Sequence, residues 1–508
     1  MITRLGVKNF KKFHDTTTIS LSDINIFVGT NSSGKSSFIK SLILMTDNLM
    51  KRVNLLQGGV ISNKILFDFN STNFESANLG TFKRVINHDT QSESFTLEAN
   101  IFDGYNIGTK EYKLDVLIQL EVQNDEDNAD IGYLSRVLVK DNTCGASFNF
   151  NLREWTTDVT FPKDRYYKLM SICLDDRHIK HAILEHEIPE KDVLNFTIPM
   201  QPIFFGGKDL LSSLFHSTIL KIKYHSHANS YEIPREELAF HGTCAEIEGV
   251  ITPKEVLEQY SNDLLQHIHG EQNIPNIEYI YPHAVTRKVI FSVHDRNDYV
   301  AHTIYDAYTH KALYNKDAIS FVRHWLSRFR IGYDCTISTV EGEGYIIQII
   351  DERGRRKNLI DLGTGSAQIV LLLLKVATIM TFYNRNSTLI IMEEPEQNLH
   401  PNYQSLLADL FFDIYNHGVR MIVETHSEYL IRRSQVIVAE IAAEIGFSQE
   451  ELDKSNPFRV IYFPEAGQPY DMHYKTNGDF EHLFGEGFYD AAAMNKIALY
   501  RMQLNLNK

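Results

Sequence analysis

Cysteine and long apolar runs are scarce in this chain of 508 residues. Its cysteines lie far apart and lack the C-x-x-C spacing of a zinc or redox site: Cys144, Cys173, Cys244 and Cys335. The longest apolar helix candidate, Ile369 to Met380, is interrupted by Lys375 and is too short to cross a bilayer. The opening stretch MITRLGVKNFKKF has no continuous apolar segment. We therefore expect a cytoplasmic protein with reduced thiols and no membrane contact.

Positive charge is also in short supply, with 50 Lys and Arg against 65 Asp and Glu and a net charge of −15. This balance argues against a surface covered with nucleic-acid contacts, but a local basic groove, and hence DNA contact, stays open. No cysteine or carboxylate stands at ligand spacing beside the clustered histidines, which we interpret as surface residues and not as a zinc site: His178, His181, His186, His267 and His269.

The stretch GTNSSGKS fits the phosphate-loop pattern G-x-x-x-x-G-K-[ST]. An apolar run, Ile24 to Val28, predicts a strand before it, and Ser37 to Asn48 predicts an amphipathic helix after it. Glycines let backbone N–H groups face phosphate oxygens, Lys35 adds a cation, and the Ser36 hydroxyl suits Mg²⁺. The predicted ATP- or GTP-binding residues are Gly29, Thr30, Asn31, Ser32, Ser33, Gly34, Lys35, Ser36 and Ser37.

A second glycine-rich turn, NLIDLGTGSAQ at Asn358 to Gln368, opens onto the apolar run IVLLLLKVATIM. For the same physical reasons it predicts an anion-binding helix start. The alternative is a loop that caps a core helix. The residues that would face a phosphate are Leu362, Gly363, Thr364, Gly365 and Ser366.

Two further apolar runs predict buried parallel strands that end in polar residues. Leu389 to Met392 leads into Glu393 and Glu394, and Arg420 to Glu424 is followed by His426. At strand ends of an α/β sheet, Glu393 could orient Mg²⁺ and Glu394 could polarise the water that attacks the γ-phosphate. His426 could hydrogen-bond the γ-phosphate or that water. When each feature is considered alone, another interpretation stays open, because acids at strand ends also cap helices and a lone histidine is more often structural.

Short alternating segments between Ile65 and Phe102, and again at Tyr112 to Val122, predict an antiparallel β-layer. From about Asn151 the chain mixes helical stretches with Pro and Gly breaks and shows neither a repeat nor sustained heptads. The expected fold class is α/β, with a phosphate-loop parallel sheet and an antiparallel β-layer, split by a mixed, mainly helical insertion.

These motifs resemble the ABC-type ATPase heads of SMC, RecF and OLD-like proteins, in particular the ATPase of Septu and Septu-containing retron anti-phage systems. The resemblance covers roughly residues 1 to 90 and 318 to 495. Its motifs are the opening strand at Leu5 to Phe10, Walker A at Gly29 to Ser36, the signature loop at Leu362 to Gln368, Walker B at Glu393 and Glu394, the D-loop region at Leu399 to Pro401, the switch His426 and a closing motif at Gly485 to Asp490.

This sequence departs from the family pattern in three places. Glu393 replaces the usual Walker B aspartate, and the signature reads LGTGS in place of L-S-G-G. The third departure is at the Q-loop, where no glutamine matches the family pattern closely and Gln57 is the candidate. The resemblance implies a head whose parts are an N-terminal lobe at 1–150, an inserted domain at 151–285, a C-terminal lobe at 286–465 and a small extension at 466–508.

The resemblance further implies a homodimer, or a higher oligomer, that sandwiches two ATP molecules with Mg²⁺. The signature loop of one subunit would complete the phosphate site of the other. We expect glycine at 365 because the backbone must come within hydrogen-bond reach of that phosphate, so a bulky residue there should leave monomer folding intact.

The expected function is an anti-phage ATPase that senses DNA or a phage component and controls a separate nuclease, since the chain has no convincing nuclease constellation of its own. The alternative is a RecF- or SMC-like ATPase of DNA repair or maintenance, although no coiled coil is apparent in the sequence. The ATP subunit of a transporter is disfavoured by the LGTGS signature and the long insertion.

Overall fold

The protein is described from a computed structural model. The residues that it describes are 1–51, 56–57, 60–61, 64–71, 74, 77–90, 92–107, 110–162, 193–200, 209–225, 260–262, 264–266, 268, 274–280, 288–292, 294–295, 298–382 and 385–485.

The elements are numbered in chain order. The strands are β1 (Ile2–Lys8), β2 (Thr17–Ser20), β3 (Ile24–Gly29), β4 (Leu56–Gln57), β5 (Val60–Ile61), β6 (Leu66–Phe67), β7 (Ser94–Ile107), β8 (Lys110–Asn124), β9 (Gly132–Asp141), β10 (Ser147–Asn151), β11 (Thr156–Pro162), β12 (Val193–Pro199), β13 (Asn276–Ile280), β14 (Phe291–Ser292), β15 (Asp334–Val340), β16 (Gly344–Ile350), β17 (Arg356–Asn358), β18 (Thr388–Glu393), β19 (Arg420–Glu424), β20 (Phe458–Phe463) and β21 (Tyr470–Asp471). The α-helices are α1 (Lys35–Met50), α2 (Phe82–Val85), α3 (Leu210–His225), α4 (Tyr299–Thr309), α5 (Lys316–Arg328), α6 (Thr364–Ile379), α7 (Pro401–Asn416), α8 (Glu428–Ile445) and α9 (Gln449–Ser455).

The first of two compact units comprises Met1–Ser20 and Ser37–Pro275. Its main sheet is antiparallel, in the order β12-β11-β10-β9-β8-β7-β1-β2, with β6 paired to β9. Side chains alternate along its strands, and in β10 Phe148 and Phe150 are buried between half-buried polar residues. The predicted antiparallel β-layer is therefore confirmed.

The second unit comprises Leu21–Ser36 and Asn276–Lys508. Its main sheet has the order β13-β18-β19-β3-β20-β21 and is parallel except for the β20–β21 pair. Strands β3 and β18 are near-continuous apolar runs, as expected for strands covered on both faces. A smaller antiparallel sheet joins β14, β16, β15 and β17. The predicted α/β class, with a parallel sheet after the phosphate-loop pattern, is confirmed.

Helix α6 lies in the core of the second unit and is buried on nearly every side. A helix that is apolar on nearly every side must be enclosed by other elements, which explains its long run of Leu, Ile and Val. Lys375 interrupts this run, and its Nζ lies 3.0 Å from Glu278 Oε2 and 3.4 Å from Asp306 Oδ2. The one cation of the helix interior is thus paired with acids of β13 and α4.

Among the residues that the structure describes, no helix is long and apolar enough to cross a membrane. Cys144 and Cys335 are free thiols, and Cys335 is buried. The other two cysteines and the clustered histidines of the sequence lie outside the described residues. The predicted domain boundaries at 150, 285 and 465 remain a prediction.

Candidate nucleotide site

The phosphate loop, Gly29 to Ser36, links the end of β3 to the start of α1. Gly29 has a φ of +148°, and a Cβ atom there would lie 2.2 Å from the carbonyl oxygen of Phe463 in the adjacent β20. Gly34 and Ser32 also have positive φ, of 100° and 61°. The loop therefore curls tightly at the carboxyl end of β3, and only glycine fits its first position.

Lys35, the first residue of α1, is almost fully buried. Its Nζ donates to the carbonyl oxygens of Thr30 at 2.9 Å and Gly29 at 3.2 Å, and it lies 3.7 Å from Glu424 Oε1. Burial lowers the pKa of Lys35, and the nearby carboxylates, Glu424 first, partly oppose that shift. The cation is held where the loop encloses it.

The predicted acids stand at the carboxyl end of β18, next to β19. The register pairs Glu393 with Glu424, and β19 also pairs with β3, whose Phe27 is opposite Glu424. Glu394 follows with a φ of +46°, and its N–H donates to the Glu424 carbonyl at 2.7 Å. The ends of three adjacent parallel strands thus bring the phosphate loop and the acids to one edge of the sheet.

Glu424 also belongs to this group of residues, although its strand was predicted only as the element that precedes His426. Its Oε1 accepts a hydrogen bond of 3.0 Å from the Ser36 hydroxyl. Burial raises the pKa of Glu424 to about 7, with Glu393 adding to the shift while Ser36 and Lys35 oppose it. The signal in the sequence was a glutamate at the last position of an apolar strand, directly before Thr425 and His426.

His426 follows β19 and is positioned by its backbone, whose N–H donates to Glu396 Oε1 at 2.7 Å. Glu396 is buried, and Gln397 Nε2 donates to Glu394 Oε2, so this short segment ties the strand-end acid to the histidine. Burial, together with the Lys35 cation, lowers the pKa of His426. The neutral imidazole is therefore favoured, and it offers one donor and one acceptor nitrogen.

The signature loop, Leu362 to Ser366, leads into α6, whose N-cap Gly363 is exposed and receives no side-chain cap. Among the described residues, no hydrogen bond joins this loop to the phosphate loop. A Cβ atom on Gly363 would meet nothing within 4 Å, whereas one on Gly365 would lie 2.5 Å from the Asn398 carbonyl oxygen and 2.8 Å from Leu399 Cδ2.

This contact corrects the expectation that a bulky residue at 365 would leave folding intact. Gly365 is buried against the segment that follows Glu394, so any side chain there collides with backbone of the same subunit. Gly363 is the position at which a side chain can project without such a collision.

The carboxylates of Glu393 and Glu424 have oxygen atoms that could bind a cation. Buried oxygen atoms without a hydrogen-bond partner include Glu393 Oε1 and Glu424 Oε2. Carboxylate and hydroxyl oxygens are the ligands that Mg²⁺ prefers, usually with phosphate oxygens and water in the remaining positions. In the described part of the chain no group of three or more His, Cys, Asp and Glu side chains is arranged to hold a metal ion alone. The residues present fit a cation that arrives with a phosphate.

Two predicted features cannot be placed. The side chain of Gln57 and most of the closing motif, residues 486–490, lie outside the described residues.

A phosphate loop on a parallel sheet, beside strands that end in acids, defines the class of P-loop nucleotide-binding proteins. The family model described as AAA ATPase domain matches residues 1–239 and 252–431 of this chain. The chain belongs to this AAA ATPase domain family.

Comparison with solved structures finds SMC heads among similar proteins. One is the SMC head domain from Thermotoga maritima, with 11% identity, a TM-score of 0.35 and coverage of 92% of this chain and 98% of that chain. Another is the SmcHead bound to the C-winged helix domain of ScpA, with 11% identity, a TM-score of 0.41 and coverage of 93% and 98%. A third, from Pyrococcus furiosus, is a Smc head domain with an extended coiled coil bound to the C-terminal domain of ScpA, with 12% identity, a TM-score of 0.35 and coverage of 98% and 99%.

All three TM-scores are below 0.5. No curated protein matches the chain.

Proposed function

We propose that the protein binds ATP with Mg²⁺ and hydrolyses it to ADP and phosphate. The observation that supports this most is the adjacency of β18, β19 and β3 in one parallel sheet, which gathers Lys35, Ser36, Glu394 and His426 at one edge. The family supports nucleotide binding as well.

The proposed roles follow from these contacts. Backbone N–H groups of the phosphate loop and the start of α1 bind phosphate oxygens, and Lys35 exchanges the Thr30 and Gly29 carbonyls for the β- and γ-phosphates. Mg²⁺, when bound, neutralises phosphate charge, and Ser36 and Glu393 would hold it. Glu394 accepts the proton of the attacking water, while neutral His426 hydrogen-bonds that water or the γ-phosphate.

We propose further that two heads share their sites as an ATP-dependent homodimer. The signature loop has an exposed, uncapped helix start and no hydrogen bond to the phosphate loop of its own chain among the described residues. Such a start can donate N–H groups to a phosphate carried by another subunit. ATP would then bridge the heads, and hydrolysis would loosen them.

Glu394→Gln tests the hydrolytic role. The amide has the same size but cannot take a proton, so ATP binding should persist while turnover falls ~10²–10⁴-fold. Binding of a labelled ATP analogue and phosphate release measure the two properties. Glu450→Gln, which makes the same change on an exposed side chain, is the matched control. Turnover near the wild-type rate would assign the base elsewhere, with Glu393 or Glu396 next to be tested.

For the biological role, we propose a cytoplasmic sensor of DNA or a phage component that regulates a separate nuclease in anti-phage defence. This proposal is supported by the motifs between Walker A and His426, which resemble those of Septu-type ATPases. The alternative is a RecF- or SMC-like ATPase of DNA repair or maintenance. The ATP subunit of a transporter is a third, less favoured proposal.

A phage challenge separates these roles. Cells that carry the chain with its neighbouring genes should lose protection when Glu394 is replaced by Gln. Equal protection by wild type and variant would refute an ATP-driven sensor. A neighbouring nuclease or reverse transcriptase gene supports defence, and a permease gene supports transport.

A further inference from the structure

The position of Glu424 in the site is determined by strand β19 of the parallel sheet and not by the phosphate loop. It is the last residue of β19, the strand that lies between β18 and β3, so its neighbours across the ladder are Glu393 and Phe27. The side chain is only 7% exposed. None of the roles proposed above needs this carboxylate.

The two oxygens of Glu424 have different surroundings. Oε1 accepts the Ser36 hydroxyl at 3.0 Å and lies 3.7 Å from Lys35 Nζ, whereas Oε2 is buried without a hydrogen-bond partner. A carboxylate that served only to anchor Lys35 would be expected to have both oxygens satisfied, as buried polar groups usually are. Oε2 is thus available to a ligand that the chain itself does not supply.

The charges around Glu424 indicate the kind of ligand. Glu393 lies opposite it in the ladder with its own buried, unpaired Oε1, and Glu394 follows in the chain. Burying neighbouring carboxylates is costly unless a cation compensates, and Lys35 is a single positive charge. Ser36, the phosphate-loop residue expected to face a cation, already contacts Glu424.

We propose that Glu424 contributes its carboxylate to the divalent-cation site, so that Ser36, Glu393 and Glu424 together hold the cation that accompanies the nucleotide. Two carboxylates with one hydroxyl leave room for phosphate oxygens and water in a six-coordinate Mg²⁺ site. This role rests on the proposed ATP binding, and it deepens that function by naming a residue whose effect is on the metal and not on the nucleotide.

The Glu424→Gln variant distinguishes an effect on metal binding from an effect on nucleotide binding. The cation affinity is measured with Mn²⁺ by electron paramagnetic resonance at a saturating concentration of a non-hydrolysable ATP analogue, and the analogue affinity is measured in EDTA. We expect Mn²⁺ to bind at least ~10–100-fold more weakly to the variant, because the loss of even an outer-shell partner of a metal site typically weakens metal binding by that factor. Metal-free analogue binding should be unchanged or tighter, because one negative charge near the phosphates is removed.

Glu424→Asp keeps the charge on a shorter side chain and should give a Mn²⁺ affinity between those of wild type and Glu424→Gln. It also preserves the test if the amide variant does not fold. Glu450→Gln should bind Mn²⁺ like wild type. Wild-type Mn²⁺ affinity in both Glu424 variants would overturn the proposal and leave Glu424 as a structural partner of Lys35. Absence of analogue binding to the wild-type protein would instead refute the proposed function and this role with it.

Discussion

Two helices begin at glycine-rich loops of the second unit, and the structure gives the two helix starts different surroundings. The start of α1 lies at a sheet edge where Lys35 and Ser36 contact Glu424. The start of α6 has an exposed Gly363 and no side-chain cap, and its Gly365 packs on the backbone of Asn398. Both starts offer N–H groups to an anion, and the first combines them with the buried contacts of Lys35 and Ser36 to Glu424. The chemistry of such a site therefore depends on the neighbouring strand ends.

The charged residues near the two helices also act at different places. At α1 the cation is in the first helical residue, where a ligand can meet it. In α6 the cation is Lys375, deep in the helix. Burial alone would lower the pKa of Lys375, but Glu278 and Asp306 outweigh it and raise the pKa. This buried ion pair joins α6 to β13 and α4, so we infer that it fixes the helix that carries the signature loop.

The largest effect is expected from Lys35→Ala, which removes the cation of the first helix start. Loss of one partner from a buried charged contact costs about 2–5 kcal/mol, so ATP binding should weaken by roughly 30-fold to 5,000-fold. Anisotropy of a labelled ATP analogue measures it, with the exposed Lys454→Ala as control. Undiminished binding would mean that α1 does not hold the phosphates, and the proposed difference between the starts of α1 and α6 would then be wrong.

A smaller, partial effect tests the second helix start. Gly363→Arg places a long side chain where nothing lies within 4 Å, so the monomer should fold and bind ATP while the shared site is blocked. When Gly363→Arg and Lys35→Ala chains are mixed, a heterodimer has one intact composite site. In that site the phosphate loop comes from the Gly363→Arg chain and the signature loop comes from the Lys35→Ala chain. In a two-fold dimer this restores one site in about half of the dimers, hence about a quarter of wild-type ATPase activity.

Recovery requires that heterodimers form, which native mass spectrometry verifies. If they form and activity stays at the level of either variant alone, each subunit hydrolyses ATP with its own residues. The signature loop would then be a cap on a core helix.

The sequence predicted the parts of this site whose signals are local. The continuous apolar runs of β3, β18 and β19 are typical of buried parallel strands, and their ends identified the acids and the loop. It did not reveal that β19, and not β18, adjoins β3, because strand order in a sheet is not chain order. Glu424 was missed for that reason.

The reason for glycine at 365 was also inaccessible from the sequence, because Asn398 is distant in the chain and meets Gly365 only through tertiary packing. A glycine required by a ligand and a glycine required by a neighbouring backbone have the same sequence signal.

The smallest effect is on stability and compares the two glycines of the signature loop directly. Alanine favours a helix over glycine by about 1 kcal/mol, so propensity alone predicts that Gly365→Ala stabilises the protein. A Cβ atom 2.5 Å from the Asn398 carbonyl oxygen must instead displace backbone, and overpacking of this kind costs about 1–3 kcal/mol. We expect the collision to outweigh the gain in helix propensity by about 1–2 kcal/mol, so that the melting temperature falls by about 2–4 °C. A Cβ atom on Gly363 meets no atom within 4 Å, but alanine is a poorer N-cap than glycine by roughly 0.5–1 kcal/mol, so Gly363→Ala should lower the melting temperature by no more than about 2 °C. Differential scanning fluorimetry of the two variants side by side measures the difference. A Gly365→Ala protein as stable as Gly363→Ala would show that Asn398 yields readily, and glycine at 365 would then have to be explained by the phosphate of a second subunit.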